Sequence, residues 1–212
     1  QQFFGLLHLL RPIYGITTRA LHQEEQEAFH APGEFDRIEI YRPGFPQRIA
    51  ESVGSESLAD FSLMRSALGI PEPDAGTLDA LFRRHAPELL IENLDDNDYI
   101  GTPGGMPGDW YVDTSRPVVY TLPSLTRFDG EVLLQLNYIF WFPERKPAGL
   151  IDIYAGKLDS IIWRVTLDHT GQVLLYDSIH SCGCYHKYFL VSETLSVKSS
   201  PASREPANIF DT

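Results

Sequence analysis

Twelve consecutive residues, Glu131 to Phe142 (EVLLQLNYIFWF), constrain the fold of this chain more than any other segment. In an extended strand, alternate side chains point to opposite faces. Both faces of this run are apolar except at Gln135 and Asn137, and those two share a face. A strand apolar on both sides belongs in the middle of a sheet covered on both sides. Buried amides need hydrogen-bond partners. Gln135 and Asn137 must therefore line a pocket or satisfy a neighbouring loop.

The segments around this strand predict the rest of a sheet. Pro117 to Leu122 (PVVYTL) is a short strand. Ser160 to Leu167 and Val173 to Ser178 flank Asp168-His169-Thr170-Gly171, which predicts a hairpin with glycine at its turn. Tyr188 to Ser192 adds a final strand. The tail from Lys198 (KSSPASREPANIFDT) is polar and proline-containing, and reads as a loose end or a strap.

The first third reads as helical. Phe3, Leu6, Leu7, Leu10 and Ile13 recur at helical spacing, and Ala20 to Phe29 continues with good helix formers. Ser55 to Leu68 and Thr77 to His85 are further helices, with Ser57 and Thr77 as N-caps. Two short strands interrupt them, Phe35 to Tyr41 and Glu88 to Asn93. Between Gly101 and Gly108 the glycines and prolines are too dense for regular structure, which predicts a boundary or a long loop.

The expected fold is therefore α+β, a helical N-terminal third followed by a mostly antiparallel β-sheet. It divides into a helical region 1–94, a β-rich region 95–197 and a tail 198–212, or forms one domain throughout.

The formal net charge is −12. Such acidity repels phosphate backbones, and no basic run offsets it, so nucleic-acid partners are disfavoured. No apolar stretch approaches the roughly 20 residues of a membrane helix. Gln1 to Leu10 lacks the basic leader of a signal peptide and reads as a helix packed on the core. Asp95-Asp96-Asn97-Asp98 lacks the glycine and glutamate spacing of a calcium loop and reads as a solvated acidic turn.

Chemistry concentrates in His180-Ser181-Cys182-Gly183-Cys184-Tyr185-His186, which holds both cysteines of the chain. On a straight strand its four soft or borderline donors would share a face, but neighbours two apart sit about 6.6 Å from each other. Four would span roughly 20 Å, and tetrahedral zinc needs every ligand within about 2.0–2.3 Å. Gly183 can take positive φ and fold the chain back, bringing Cys182 and Cys184 together with one or both histidines.

Four readings follow. The leading one is a metal site of His180, Cys182, Cys184 and His186, with zinc first and copper or iron next. The others are a Cys182–Cys184 redox pair, a cysteine nucleophile with a histidine base, and small residues at a strand end with incidental histidines. Asp177 is placed to orient an imidazole, and Arg164, on the facing hairpin strand, to pair with Asp177 or hold an anion.

Val112 to Tyr120, Leu133 to Tyr138 with Trp141-Phe142-Pro143, Trp163 to Asp168 and Ile179 to His186 together resemble a set of uncharacterised bacterial proteins sharing this order of segments. The resemblance covers about the C-terminal half and implies that residues from about Asp95 onward are one unit. It brings no catalytic role.

The expected function is a bacterial metal-binding protein, possible as a metalloenzyme, with Asp177 and Arg164 assisting catalysis on a small-molecule substrate. A cysteine-dependent enzyme with a Cys–His dyad is the alternative. A partner-binding module of an envelope assembly, docking through Phe3 to Leu10, is the third. A periplasmic or envelope location is slightly favoured over the cytoplasm.

Overall fold

The computed structural model describes residues 37–44, 64–147, 155–183, 185–191, 195 and 208–211. Its centre is a six-stranded sheet in the order β10-β9-β8-β7-β6-β5. These strands are β5 (Val119–Phe128), β6 (Glu131–Arg145), β7 (Gly156–Leu167), β8 (Val173–His180), β9 (Lys187–Leu190) and β10 (Asn208–Asp211). Neighbours are antiparallel except β10, which lies parallel to β9. Asn208–Asp211 of the tail are thus added to the sheet edge, and residues 198–207 lie outside the described residues.

The apolar run becomes β6, an interior strand as expected. Leu134, Leu136, Tyr138 and Phe140 are buried on one face, and Leu133 and Asn137 on the other. The first face meets the only α-helix among the described residues, α1 (Ala75–Arg84). Leu81 and Phe82 of α1 join Leu134, Leu136, Tyr138, Val165 and Leu167 in one core. The Phe82 and Tyr138 rings meet edge to face at 5.5 Å, and the Tyr138 hydroxyl donates to the Phe82 carbonyl oxygen at 2.8 Å. This buried tyrosine therefore has its polar end satisfied, and burial pushes its hydroxyl's pKa well up. The core crosses the expected boundary at residue 94.

The α+β expectation is overturned, because the described chain is mostly β. The helices expected over Phe3–Ile13 and Ala20–Phe29, and Ser57 as a cap, lie outside the described residues. Within 37–94, β1 (Ile38–Tyr41) and β2 (Leu89–Glu92) form an antiparallel pair, Ile40 opposite Leu90. The end of the expected Ser55–Leu68 helix is instead a turn closed by a bridge between Arg65 and Pro71. Gly69, at φ +72°, gives that turn a left-handed residue that a helix cannot continue through. Asp74, not Thr77, caps α1: its carboxylate accepts the Thr77 backbone N–H at 2.8 Å.

The glycine-rich middle is also regular structure. Thr102–Met106 (β3) and Asp109–Asp113 (β4) form a hairpin. Glycine is required here by close backbone approach. A Cβ at Gly101 would lie 2.5 Å from the Asp113 carbonyl oxygen, so glycine density marks tight packing, not a loop. Gly101 N–H then reaches the Trp141 carbonyl oxygen at 3.0 Å, tying the hairpin to β6.

Asp95 to Asp98 forms a capped turn. Asp95 caps the single 3-10 turn Asp96–Asp98, and Lys146 reaches its carboxylate at 2.7 Å. That ion pair, foremost, holds the Asp95 carboxyl below the usual range.

Candidate proton-relay site

The strand registers place the candidate residues before any side-chain distance is considered. Asn137 stands opposite Arg164, Arg164 opposite Asp177, and Asp177 opposite Tyr188. Four adjacent strands, β6 to β9, thus set a polar row on one face of the sheet. The opposite face carries Leu136, Val165 and Tyr176.

Asp177 is the buried centre of this row, at 1% exposure. Arg164 directs Nε at Asp177 Oδ1 at 2.7 Å and a terminal nitrogen at the same oxygen at 2.5 Å. The predicted Arg164–Asp177 pair therefore forms. It also turns two guanidinium nitrogens toward a carboxylate, which leaves Arg164 poorly suited to hold a separate anion. A charge buried this deeply is tolerated only with such a partner.

Between β8 and β9 the chain reverses at residues 181–186. Gly183 sits at φ +88°, and its N–H bonds the His180 carbonyl oxygen at 2.8 Å. The expected fold-back at Gly183 is present, and it leaves His180 and His186 on opposite faces of the sheet. His180 and Asp177 are an odd number of positions apart on β8, so they face opposite sides of the sheet. His180 Nδ1 meets Asp159 Oδ1 at 3.1 Å, and its ring lies 5.2 Å from Tyr185. Arg145 in turn lies over the Tyr185 ring at 4.9 Å.

His186 goes to the other face. Its Nε2 is 2.9 Å from Asp177 Oδ1 and its Nδ1 is 3.1 Å from the Tyr188 hydroxyl. Cys182 is an exposed free thiol in the turn. Cys184 lies outside the described residues. Among the described residues no three His, Cys, Asp or Glu side chains gather as metal ligands. The hairpin does not bring His180 and His186 together; each is held by its own carboxylate.

The hydrogen positions around His186 follow from its neighbours. Asp177 Oδ1 can only accept, so the Nε2 facing it carries the proton. Tyr188 keeps its own proton. Burial raises its pKa, the Asp177 charge adds to this, and Arg164 only partly opposes them. When the imidazole is neutral, Tyr188 O–H therefore donates to Nδ1. The Arg164 terminal nitrogen 3.0 Å from Nε2 is then a second donor converging on the same carboxylate oxygen, not a partner of the imidazole. The result is a directed chain, Tyr188 O–H to His186 Nδ1, and His186 Nε2–H to Asp177, with the His186 side chain 27% exposed.

Sequence reasoning anticipated the Arg164–Asp177 pair and set Asp177, three residues before His180, to orient an imidazole; the imidazole that Asp177 meets is His186, and Tyr188 was missed. Tyr188 lies two residues after His186, a spacing that shares a strand face. Asp159 left no such signal, because only the β7–β8 register brings it to His180. No family model, curated protein or solved structure matches the chain.

Proposed function

We propose that this protein is an enzyme of proton transfer, in which His186 is the general base and Tyr188 its relay to the substrate. One observation carries this reading: one nitrogen of an imidazole lies 2.9 Å from a buried carboxylate while the other faces a hydroxyl at 3.1 Å. In the working step an attacking water, a substrate hydroxyl or an acidic C–H gives its proton to Tyr188 Oη as Tyr188 passes its own to Nδ1. The imidazolium so formed is stabilised by Asp177, and the reverse transfer restores the resting state. Positioned bases of this kind contribute about 10²–10⁴-fold in rate.

Zinc, copper or iron on the His180–His186 segment has less support. Both imidazoles would have to give up a carboxylate and reach one ion from opposite faces of the sheet. The partner-docking reading through Phe3 to Leu10 lies outside the described residues.

The test is a panel of uncharged esters, amides and ketones, scored by hydrolysis or by deuterium exchange next to the carbonyl. The expected result is turnover of at least one class, with Tyr188→Phe and His186→Gln each about 100-fold slower and KM little changed. Turnover equally fast in both variants, or none with the wild type, overturns the reading.

A further inference from the structure

The six-stranded sheet ends at β5, and this edge lacks most of the devices that keep a strand edge unpaired. An open edge presents a row of backbone N–H and C=O groups, and proteins blunt it with charges, bulges or short strands. β5 is long, ten residues from Val119 to Phe128. Its register with β6 is unbroken from Val119 opposite Phe140 to Phe128 opposite Glu131, so no bulge turns it aside. Among the described residues no strand pairs with its outer side. It carries one charged residue, Arg127, and no carboxylate, in a chain with 29 acidic residues.

The strand is also apolar and exposed on both faces. Tyr120, Leu122 and Phe128 stand on the face shared with Asn137, and Val119 and Leu125 on the face shared with Leu136. All five are between 38% and 56% exposed.

We propose that β5 is a self-association surface, pairing antiparallel with β5 of a second copy of this chain about a two-fold axis through Ser124. Charge favours a second copy as the occupant. At a net charge of −12 the molecule repels another copy, and any acidic partner, over its general surface, and a carboxylate-free strand is where a second copy approaches at least cost. A basic partner would find no carboxylate on β5, only Arg127.

The strand is complementary to itself, as a two-fold contact requires. With the axis through Ser124, Tyr120 faces Phe128 of the second copy, Leu122 faces its Thr126, and Thr121 faces its Arg127. Each of these pairs occurs twice by symmetry. Aromatic cross-strand pairs stabilise a ladder, and no like charges stand opposite each other. Pro123 has no N–H to donate, so it removes at most one ladder bond per strand, and an edge strand is where a sheet tolerates proline. The axis runs perpendicular to the sheet. Two six-stranded sheets therefore join into one, with the Asp177 rows of both copies on the same side. None of this depends on the proton-transfer reading.

The test is sedimentation velocity of the full chain from about 1 to 100 µM, since a single strand pair makes a small and therefore weak interface. A dimer is expected at the top of this range, dissociating on dilution. Leu122→Lys and Phe128→Lys, both at exposed positions, should stay folded by circular dichroism and weaken the dimer at least about tenfold. Leu90→Lys, at a residue 62% exposed on β2, should leave it intact. The register is read by mild oxidation in a Cys182→Ser, Cys184→Ser background. Ser124→Cys meets itself across the axis, with Cβ atoms about 4.5–5.5 Å apart, and should link the two copies. Thr126→Cys faces Leu122 of the second copy and should not. A monomer at every concentration overturns the proposal. So does a dimer unaffected by the β5 variants or equally weakened by Leu90→Lys, and so does linkage through Thr126→Cys without linkage through Ser124→Cys.

Discussion

Asp177→Ala is expected to destabilise the protein by about 3–5 kcal/mol, the range for breaking a buried ion pair by removing one partner. Arg164 would keep its charge with a side chain only 23% exposed, and no carboxylate would replace the one lost. His186 would lose the acceptor of its Nε2–H in the same substitution. A second variant separates charge burial from packing. Arg164→Met combined with Asp177→Leu removes both charges and fills the space, and should recover most of the loss. Denaturant unfolding checks both variants. A single variant as stable as the wild type would mean that the pair is solvated and not buried.

Leu136→Ala is expected to cost about 3 kcal/mol, within the range for deleting a fully buried leucine. Leu136 is 0% exposed and sits in the core shared by α1, β6 and β7. Its truncation leaves a cavity at the point where the helix meets the sheet. Leu125→Ala is the matched control. It removes the same atoms from a residue 48% exposed on β5, and should cost well under half as much. Equal losses at the two positions would contradict the burial of this face under α1.

The sheet was largely legible in the sequence, and the predominance of β structure within 64–113 was not. The β6 run shows itself because apolar residues on both strand faces leave few alternatives. The β7–β8 hairpin shows itself because Asp168 and Gly171 supply turn chemistry that hydrophobic strands enclose: Asp168 Oδ1 accepts from Thr170 N–H at 2.8 Å and Gln172 N–H at 3.0 Å. The β3–β4 hairpin was hidden because glycine stands there for close backbone contact, and the same residues also mark loops.

The site was legible in part. Counting along β8 places Asp177 and His180 on opposite faces, which already argues against Asp177 orienting His180. The Arg164–Asp177 pair follows from the hairpin register. What linear spacing could not show is which carboxylate each histidine finds after the chain reverses at Gly183. That depends on β9 returning beside β8 so that Tyr188 stands opposite Asp177.

The central claim is that Asp177 fixes the tautomer of the neutral His186 imidazole, with its proton on Nε2 and Nδ1 turned to Tyr188. Long-range ¹⁵N–¹H correlation of the imidazole, recorded with His186→Gln for assignment, reads that tautomer directly. The account predicts that the neutral imidazole carries its proton on Nε2 and leaves Nδ1 bare, with the preference lost in Asp177→Ala. A proton resident on Nδ1, or a rapidly exchanging mixture unaffected by removing Asp177, would contradict it.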